Sequence, residues 1–252
     1  MVEGLERFRD FFAEFSEQYV LIGGVACSLA MESAGREFRV TTDLDIVLSA
    51  EAQSSEFLRA FWEFVHAGEY EIHEKSTGEK QFYRFKKPKA DGYPRELELF
   101  SRLPDALEHD GAGPFTPLPN EADLSSLSAI LLDSGYYEFL QNGRQITNGV
   151  SVVGPVHLIP LKARAWLDMT KRKAEGDRID AKKIRKHKLD VFRLYAIIDP
   201  EFDAELMPQI REDMGEFIDR MAEEDIDLKV IGLANQQLPV VLEDLSRMYG
   251  PE

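Results

Sequence analysis

Two aspartates stand two residues apart in an apolar segment, RVTTDLDIVL, residues 39–48. Strands usually avoid aspartate, and a buried carboxylate is costly unless a partner balances its charge. Because side chains alternate along a strand, Asp43 and Asp45 face one side, about 7 Å apart at their Cα atoms. Magnesium suits such a pair, since it is often held by one or two carboxylates plus substrate phosphates. The alternative is a solvated pair at a sheet edge with no ligand.

A glycine pair precedes this segment. Gly23 and Gly24 close the apolar run Tyr19–Ile22 and open a helical pattern. Backbone N–H groups at a helix start, with no Cβ in the way, suit the phosphates of a nucleotide. An ordinary strand-to-helix turn is the alternative. Neither a G-x-G-x-x-G nor a G-x-x-x-x-G-K-[ST] pattern is present, so neither a dinucleotide-binding unit nor a Walker-type ATPase is indicated.

A third acidic element is PRELELF, residues 94–100. Glu96 and Glu98 alternate with Leu97 and Leu99, so both glutamates face one side of a predicted strand. Glu98, flanked by leucines, is expected to join the two aspartates, and Glu96 is the alternative. An amphipathic outer strand would give the same pattern without any chemistry.

The helices and strands that would position these residues are predicted from the spacing of apolar residues along the sequence. Helical patterns cover about 5–16, 25–33, 50–66 (with Ser49 as N-cap), 161–173, 179–197, 205–221 and 234–248, and strand patterns cover 19–22, 42–48, 70–73, 81–86, 96–100 and 129–132. Asn142-Gly143 is typical of a hairpin turn. The sequence therefore predicts an α/β (α+β) mixed sheet flanked by helices over residues 1–155, followed by a helical domain over 156–252.

Composition restricts the classes of function. The chain has 252 residues, a net charge of −16 and a single cysteine, Cys27. No segment reaches the ~18 apolar residues of a membrane span, so no membrane partner is expected. The N-terminus is acidic and amphipathic rather than basic and apolar, which predicts no export signal and a cytoplasmic location.

The charge is distributed unevenly along the chain. The segment from Lys162 to Lys188 is rich in lysine and arginine, whereas the part after Asp199 is strongly acidic. Phosphate backbones are bound by such cations, so the basic segment is a candidate contact for RNA. The alternative is a solvated helix face.

Three sequence motifs, taken in their order along the chain, resemble those of a known family. LIGG, RVTTDLDIVL and LELF resemble the nucleotidyltransferase fold of the DNA polymerase β superfamily. The version with Gly-Gly, and with Arg and Thr before Asp-x-Asp, is similar to the AbiEii-type toxins of bacterial type IV toxin–antitoxin systems. IPLKARAWLDMTKRK and IRKHKLDVFRL are similar to that family's later lysine helix and basic segment ending in Asp. The resemblance spans about residues 18–195.

The resemblance implies roles for the residues of the first half. Gly23 and Gly24 would hold the nucleotide phosphates. Asp43 and Asp45, with Glu98, would bind one or two magnesium ions, and Glu98 would activate the attacking hydroxyl. Two departures stand out: many relatives have Gly-Ser in place of Gly23-Gly24, and their third carboxylate is usually Asp rather than Glu.

The resemblance also implies a wider nucleotide-binding set. Arg39 and Thr41 would brace the aspartates or reach a phosphate. Lys162 would contact the triphosphate, and Asp190 would orient a basic neighbour. Lys188 belongs to the same nucleotide-binding set.

Two functions of different class follow. The first is a metal-dependent enzyme that transfers NMP from an NTP to RNA, such as a tRNA 3′ end, or to a protein hydroxyl. In this hypothesis it acts as a toxin with a protein antitoxin. The second is an inactive protein of the same fold that binds nucleotides or a partner and regulates. The sequence leaves the NTP and the acceptor open.

Overall fold

The computed structural model of the protein describes residues 2–49, 54–76, 81–101, 116–117, 133–199, 201–202 and 206–250. The chain forms two compact units. The first, the sheet unit, contains Met1–Asp123 and Arg144–Val153, and the second, the helical unit, contains Leu124–Gly143 and Gly154–Glu252. The predicted strand over 129–132 lies outside the described residues. The division into domains at residue 155 stays a prediction.

The sheet unit is built on a mixed sheet. Its described strands are β1 (Tyr19–Ile22), β2 (Asp43–Leu48), β3 (Glu71–Ser76), β4 (Gln81–Lys86), β5 (Glu96–Ser101), β6 (Thr116–Pro117), β7 (Arg144–Thr147) and β8 (Val150–Val153). Their order is β6-β3-β4-β5-β2-β1-β8-β7. Strand β2 runs antiparallel to β1 and parallel to β5, so the Asp-x-Asp strand lies between the glycine strand and the glutamate strand.

Three helices accompany this sheet: α1 (Leu5–Phe11), α2 (Gly23–Ser33) and α3 (Ser55–Ala67). Aromatic side chains of α1 and α3 pack together, with the ring of Phe64 lying 5.8 Å from that of Phe8 and 5.3 Å from that of Phe11. Such contacts bury large apolar areas. The helix α3 begins later than the sequence predicted. Its N-cap is Ser54, whose hydroxyl accepts from the N–H of Phe57, and the prediction of Ser49 as N-cap was wrong.

The β7–β8 hairpin turns at Asn148-Gly149. Both residues have positive φ, 50° and 79°, as the tight two-residue hairpin turn requires. The prediction of the turn at Asn142-Gly143 was wrong. Asn142 instead ends a helix that begins after Asp133, because the Asp133 carboxylate accepts from two backbone N–H groups and caps it.

The helical unit contains five described α-helices. They are α4 (Ser134–Asn142), α5 (Pro155–Ala174), α6 (Ala181–Tyr195), α7 (Pro208–Ala222) and α8 (Leu238–Tyr249). Helices α5 and α6 follow each other through a short loop and pack together. Asp180 caps α6 by accepting from the N–H of Lys182. Within the described ranges, no helix combines the length and the apolar character needed to cross a bilayer.

Helix α5 starts at Pro155, six residues earlier than predicted, and continues through Pro160. A proline inside a helix removes one donor, here the one that would serve the carbonyl of Val156. The hydroxyl of Tyr249 donates to that carbonyl at 3.0 Å. This replacement bond explains how the helix tolerates Pro160. The predicted α/β class, with strands followed by helices, is confirmed.

Candidate functional site

Strand register places four carboxylates on one face of the sheet unit. Asp43 is paired with Glu96, and Asp45 with Glu98, in the parallel β2–β5 ladder. Neighbouring strands lie about 4.8 Å apart, and side chains two residues apart share a face. Asp43, Asp45, Glu96 and Glu98 therefore form a single group, which we call the carboxylate face. The structure thus brings together the three carboxylates that the sequence singled out.

Strand β4 adds two cations to the carboxylate face. Arg84 is paired in register with Glu98, and Lys86 with Glu96. The guanidinium of Arg84 lies 2.5 Å from Oε1 of Glu98 and 3.1 Å from Oε1 of Glu96, and Lys86 Nζ lies 3.5 Å from the latter. Each glutamate is therefore paired with a β4 cation. Among the described residues, Asp43 makes no ion pair and accepts a 2.8 Å hydrogen bond from the Thr42 hydroxyl.

The two glutamates differ in their surroundings. Burial raises the pKa of Glu96, and the charges of Glu98 and Asp43 add to that rise, whereas Lys86 and Arg84 oppose it. Glu98 is only 9% exposed, and its Oε2 is buried without a hydrogen-bond partner. Its two oxygens therefore differ: Oε1 is engaged by Arg84, whereas Oε2 is buried and has no hydrogen-bond partner.

Gly23 lies directly against one of the aspartates. It has a φ of +66°, and a Cβ added there would fall 1.7 Å from Oδ2 of Asp45. Only glycine fits this position, because any side chain would displace the carboxylate. Gly23 is also the first residue of α2, whose N-cap, Ile22, offers no side-chain hydrogen bond. The first turn of α2, whose N–H groups have no acceptor within the helix, therefore begins beside the Asp45 carboxylate.

Gly24 brings two further predicted residues to the same place. A Cβ on Gly24 would lie 2.5 Å from Oγ1 of Thr41 and 3.6 Å from a terminal nitrogen of Arg39. Thr41 is buried, and the Arg39 guanidinium lies 4.8 Å from the ring centre of Phe38. The predicted set of the sheet unit is thus contiguous in space, from the glycines through Arg39 and Thr41 to the aspartates.

The carboxylate face offers oxygen ligands of the kind that magnesium prefers. No group of three or more His, Cys, Asp or Glu side chains in the described ranges is arranged to hold a metal ion. In the carboxylate face, Glu98 is engaged by Arg84, and Glu96 by Arg84 and Lys86. Two carboxylates with substrate phosphates are a usual ligand set for magnesium, so the aspartate pair fits the ion. The role of Glu98 as a third ligand stays a prediction.

The predicted residues of the helical unit form their own buried cluster. Lys162 is 1% exposed and Asp190 is fully buried, and their charged atoms lie 3.9 Å apart. Asp190 also accepts from Arg193 at 3.0 Å. Lys188, in turn, pairs with Glu224. Asp190 therefore has two basic neighbours, Lys162 and Arg193, whereas the nucleotide-binding roles of Lys162, Lys188 and Asp190 stay predictions.

The sequence analysis missed Arg84 and Lys86. The signal was present in QFYRFK, where these cations alternate with Tyr83 and Phe85, and so face the side opposite to the aromatic rings. Their meeting with the glutamates depends on the pairing of β4 with β5, which a local pattern does not contain.

A substitution at Gly23 should distinguish two costs: the steric clash of an added Cβ with Asp45, and the strain of a left-handed backbone. We expect Gly23→Ala to lower the free energy of unfolding by about 3 kcal/mol, since left-handed backbone alone costs roughly 1–2 kcal/mol and the methyl group would displace Asp45. Gly35→Ala is the matched control, because Gly35 has a φ of +68° with nothing within 4 Å of the added Cβ. Urea titrations of both variants measure the difference. Equal losses would show that Asp45 is not held against Gly23.

Comparisons with known proteins give distant likenesses only. No family model and no curated protein matches the chain. An antigenic nucleotidyltransferase-like protein from Paracoccidioides brasiliensis is similar over 99% of this chain and 96% of its own, with 14% identity and a TM-score of 0.46. JHP933 from Helicobacter pylori is similar over 98% and 87%, with 15% identity and a TM-score of 0.42. The Megavirus polyadenylate synthase is similar over 88% and 36%, with 12% identity and a TM-score of 0.41. At these scores, the likenesses define neither a family nor an activity for this chain.

Proposed function

We propose that the protein is a metal-dependent nucleotidyltransferase that moves NMP from an NTP to an acceptor hydroxyl. One observation carries the proposal: the first turn of α2 begins at Gly23, in direct contact with the carboxylate of Asp45. Helix N-termini bind phosphate, and aspartate pairs bind magnesium. Their contact supplies both halves of a site for a magnesium–triphosphate.

Each group of the sheet unit has a defined part in the transfer. Asp43 and Asp45 would hold magnesium, which supplies charge neutralisation and alignment for an in-line displacement at phosphorus. The N–H groups at Gly23 and Gly24 would donate to phosphate oxygens, and Arg39 and Thr41, beside Gly24, would support that end of the triphosphate. These contacts would fix the α-phosphate before the acceptor arrives.

The bond changes are those of a single displacement. The acceptor hydroxyl oxygen forms a bond to the α-phosphorus, and the bond from that phosphorus to the bridging oxygen of the β-phosphate breaks. Pyrophosphate leaves with the electron pair, and the hydroxyl proton passes to Glu98. The buried Oε2 of Glu98, which has no hydrogen-bond partner, would accept it, and general-base help of this kind is typically worth ~10²–10⁴-fold.

A transfer assay tests this function. The purified chain is incubated with magnesium, each NTP in labelled form, and total RNA. We expect label on the RNA or on the protein itself, and no label with Asp43→Ala or Asp45→Ala. Absence of transfer with every NTP, or transfer that survives both substitutions, would overturn the proposal.

RNA is the first acceptor to test, on the basis of charge in the helical unit. Several cations of the basic segment are engaged internally, including Arg164 with Asp213 and Arg172 with Asp177. Six others are exposed and, in the described ranges, make no ion pair. We call them the basic tip: Lys171, Lys173, Arg178, Lys182, Lys183 and Arg185. They surround the connection between α5 and α6, and such a cluster suits a phosphate backbone.

The basic tip predicts a change in salt dependence. We expect the double variant Lys182→Gln/Lys183→Gln to weaken RNA binding about tenfold at low salt. Each lost phosphate contact should also reduce the slope of log affinity against log salt by about 0.7 for a single strand. Lys229→Gln, an exposed lysine of the same unit, is the control. Filter binding at several salt concentrations measures both, and an unchanged slope would show that RNA does not contact the basic tip.

A second candidate is a protein of the same fold that binds nucleotide without turnover. The pairing of Glu98 with Arg84 favours it, because the expected third carboxylate already has a cation. Calorimetry with NTP and magnesium distinguishes the two. Binding that depends on Asp45, together with no transfer to RNA or protein, would support this candidate.

The toxin role, the antitoxin partner and the cytoplasmic location stay predictions. The motif resemblance supports the first two, and the presence of a single cysteine, the buried Cys27, agrees with a reducing compartment. Growth arrest on expression of the unaltered chain, but not of Asp45→Asn, would support the toxin role, and normal growth with both would count against it.

A further inference from the structure

A cavity lies at the connection between β4 and β5, beside the carboxylate face. Its volume is about 450 Å³, which is in the usual range for a small-molecule site, and every residue that lines it belongs to the sheet unit. One lining residue, Glu96, belongs to the carboxylate face, and another, Lys86, is its ion-pair partner at 3.5 Å. A molecule that fills the cavity therefore touches the carboxylate face.

The wall of the cavity is held in place by contacts with the rest of the sheet unit. The hydroxyl of Tyr70 donates to the carbonyl of Pro94 at 2.5 Å, and Nε of Arg7 donates to the carbonyl of Gly92 at 3.2 Å. The Arg7 guanidinium also lies 4.6 Å from the ring centre of Tyr93, which is buried. The connection is therefore preorganised, which lowers the cost of binding a ligand.

The charges of the cavity lining are mixed. Three cations and three carboxylates contribute to it, namely Lys86, Lys87, Arg95, Glu3, Asp91 and Glu96. Lys87 lies 3.0 Å from Glu71, and Arg95 lies 3.7 Å from Glu3, with the two cationic side chains 74% and 70% exposed. Such exposed ion pairs contribute little to stability, so an incoming phosphate can replace the carboxylate in either of them.

A nucleotide matches this mixture of charges better than a protein side chain does. Its phosphate is an anion for Lys87 and Arg95, and its ribose hydroxyls and base amino groups are donors for the carboxylates. A serine or threonine acceptor carries a hydroxyl but no anion, so it would leave the two cations without a ligand. The lining therefore indicates a nucleotide as the ligand.

The position of the cavity suits the acceptor rather than the NTP. The aspartate strand β2 lies between β1, which leads into α2, and β5, which follows the cavity connection. In-line displacement places the attacking hydroxyl and the leaving pyrophosphate on opposite sides of the α-phosphorus. If pyrophosphate leaves on the β1 side, beside the start of α2, the acceptor arrives from the β5 side, where the cavity lies.

We propose that the cavity binds the 3′-terminal nucleotide of an RNA acceptor, with its phosphate on Lys87 and Arg95 and its ribose hydroxyl directed towards the carboxylate face. This inference rests on the proposed function and deepens it, since it assigns a subsite to the acceptor. The hydroxyl oxygen forms the bond to the α-phosphorus, and the bond from that phosphorus to the bridging oxygen of the β-phosphate breaks. Pyrophosphate leaves with the electron pair, and the hydroxyl proton passes to the carboxylate face.

Acceptor kinetics test this subsite. In the full chain, Lys87→Gln/Arg95→Gln should raise KM for hexaadenylate RNA about tenfold, because two phosphate contacts are lost, whereas kcat and KM for the NTP should stay within about twofold. Lys89→Gln is the matched control, because Lys89 is an exposed lysine of the same connection that does not line the cavity. Its three constants should all stay within about twofold of those of the unaltered chain.

A photocross-link locates the acceptor end without any need for turnover. Oligoadenylate with 4-thiouridine as its 3′-terminal nucleotide is irradiated with the full chain in the absence of NTP, and mass spectrometry identifies the attachment site. We expect attachment within residues 86–96, and about tenfold less of it in Lys87→Gln/Arg95→Gln than in Lys89→Gln. Moving the 4-thiouridine to the 5′ end should abolish attachment within that range.

Several outcomes would overturn the inference. These are attachment of the 3′ end outside residues 86–96, equal KM values for hexaadenylate in the double variant and its control, and transfer of label to protein hydroxyls alone. If the double variant does not fold, as judged by circular dichroism, Arg95→Gln alone decides the question. If transfer depends on Asp45 but the cavity variants leave KM for hexaadenylate unchanged, this inference fails and the proposed function stands. If the 3′ end attaches within residues 86–96 but no NTP supports transfer, the cavity binds the strand and the proposed function fails.

Discussion

Asp45→Asn should reduce nucleotide transfer by about 10³-fold while leaving the fold intact. The carboxylate lies between the N-terminus of α2 and Glu98, so it is the group closest to both proposed ligands, phosphate and metal. Loss of a metal contact worth several kcal/mol in the transition state corresponds to about three powers of ten in rate. Initial rates of label transfer at saturating NTP and magnesium measure the effect.

The control for Asp45→Asn is an aspartate of the same unit. Asp10 is exposed on α1 and pairs with the exposed Arg9, so Asp10→Asn removes an equal charge without touching the carboxylate face. We expect its rate to stay within about twofold of the unaltered chain. Asp45 is half-buried, and asparagine has nearly the same shape, so thermal unfolding of Asp45→Asn should occur close to the original temperature. A large loss of rate in both variants would remove the case for a specific site.

Asp190→Ala should destabilise the helical unit by about 3–5 kcal/mol. Asp190 is fully buried, and it faces both the buried Lys162 and Arg193. Removal of one member of a buried ion pair leaves the other charge without compensation, which is the costly case. Trp166 belongs to the helical unit and Trp62 to the sheet unit, so tryptophan fluorescence in a Trp62→Phe background follows the helical unit during urea unfolding.

Two further variants show whether the loss of stability in Asp190→Ala comes from the charge that is left unpaired. Asp219→Ala removes an exposed aspartate of the same unit and should cost less than about 0.5 kcal/mol. Lys162→Met/Asp190→Leu replaces the pair with apolar side chains and should recover most of the loss, since such replacements are often neutral. A loss below about 1 kcal/mol for Asp190→Ala would show that the cluster is not important for stability. Equal losses in Asp190→Ala and in the double variant would indicate packing rather than charge.

The sequence predicted the acidic strands well because their signals are local. The alternation of side chains along a strand predicted that Asp43 and Asp45 share one face, and that Glu96 and Glu98 share one face. The register of β2 against β5 brings the two strands' acidic residues side by side. The glycine pair at the start of α2 was also visible, since a strand followed directly by Gly-Gly indicates a close approach of backbone. Even the hairpin had a local signal, but the chain has two Asn-Gly pairs, and only the tertiary structure decides that Asn148-Gly149 is the turn.

The rest depended on contacts between distant parts of the chain. Arg84 meets Glu98 because β4 pairs antiparallel with β5 in one register, and a shift by one residue would place it on the opposite face. The continuation of α5 through Pro160 likewise depends on Tyr249, whose hydroxyl supplies the donor that Pro160 lacks. A pattern within 10–20 residues of sequence contains neither the contact of Arg84 with Glu98 nor the hydrogen bond of Tyr249.

The fate of the two ends of the triphosphate tests the central claim most directly. The chain is supplied with NTP labelled at the α-phosphate or at the γ-phosphate, with magnesium and RNA. A nucleotidyltransferase should place the α label on the acceptor and release the γ label as pyrophosphate, and Asp45→Asn should abolish both. Transfer of the γ label, or release of the γ label without attachment of the α label to any acceptor, would contradict the claim.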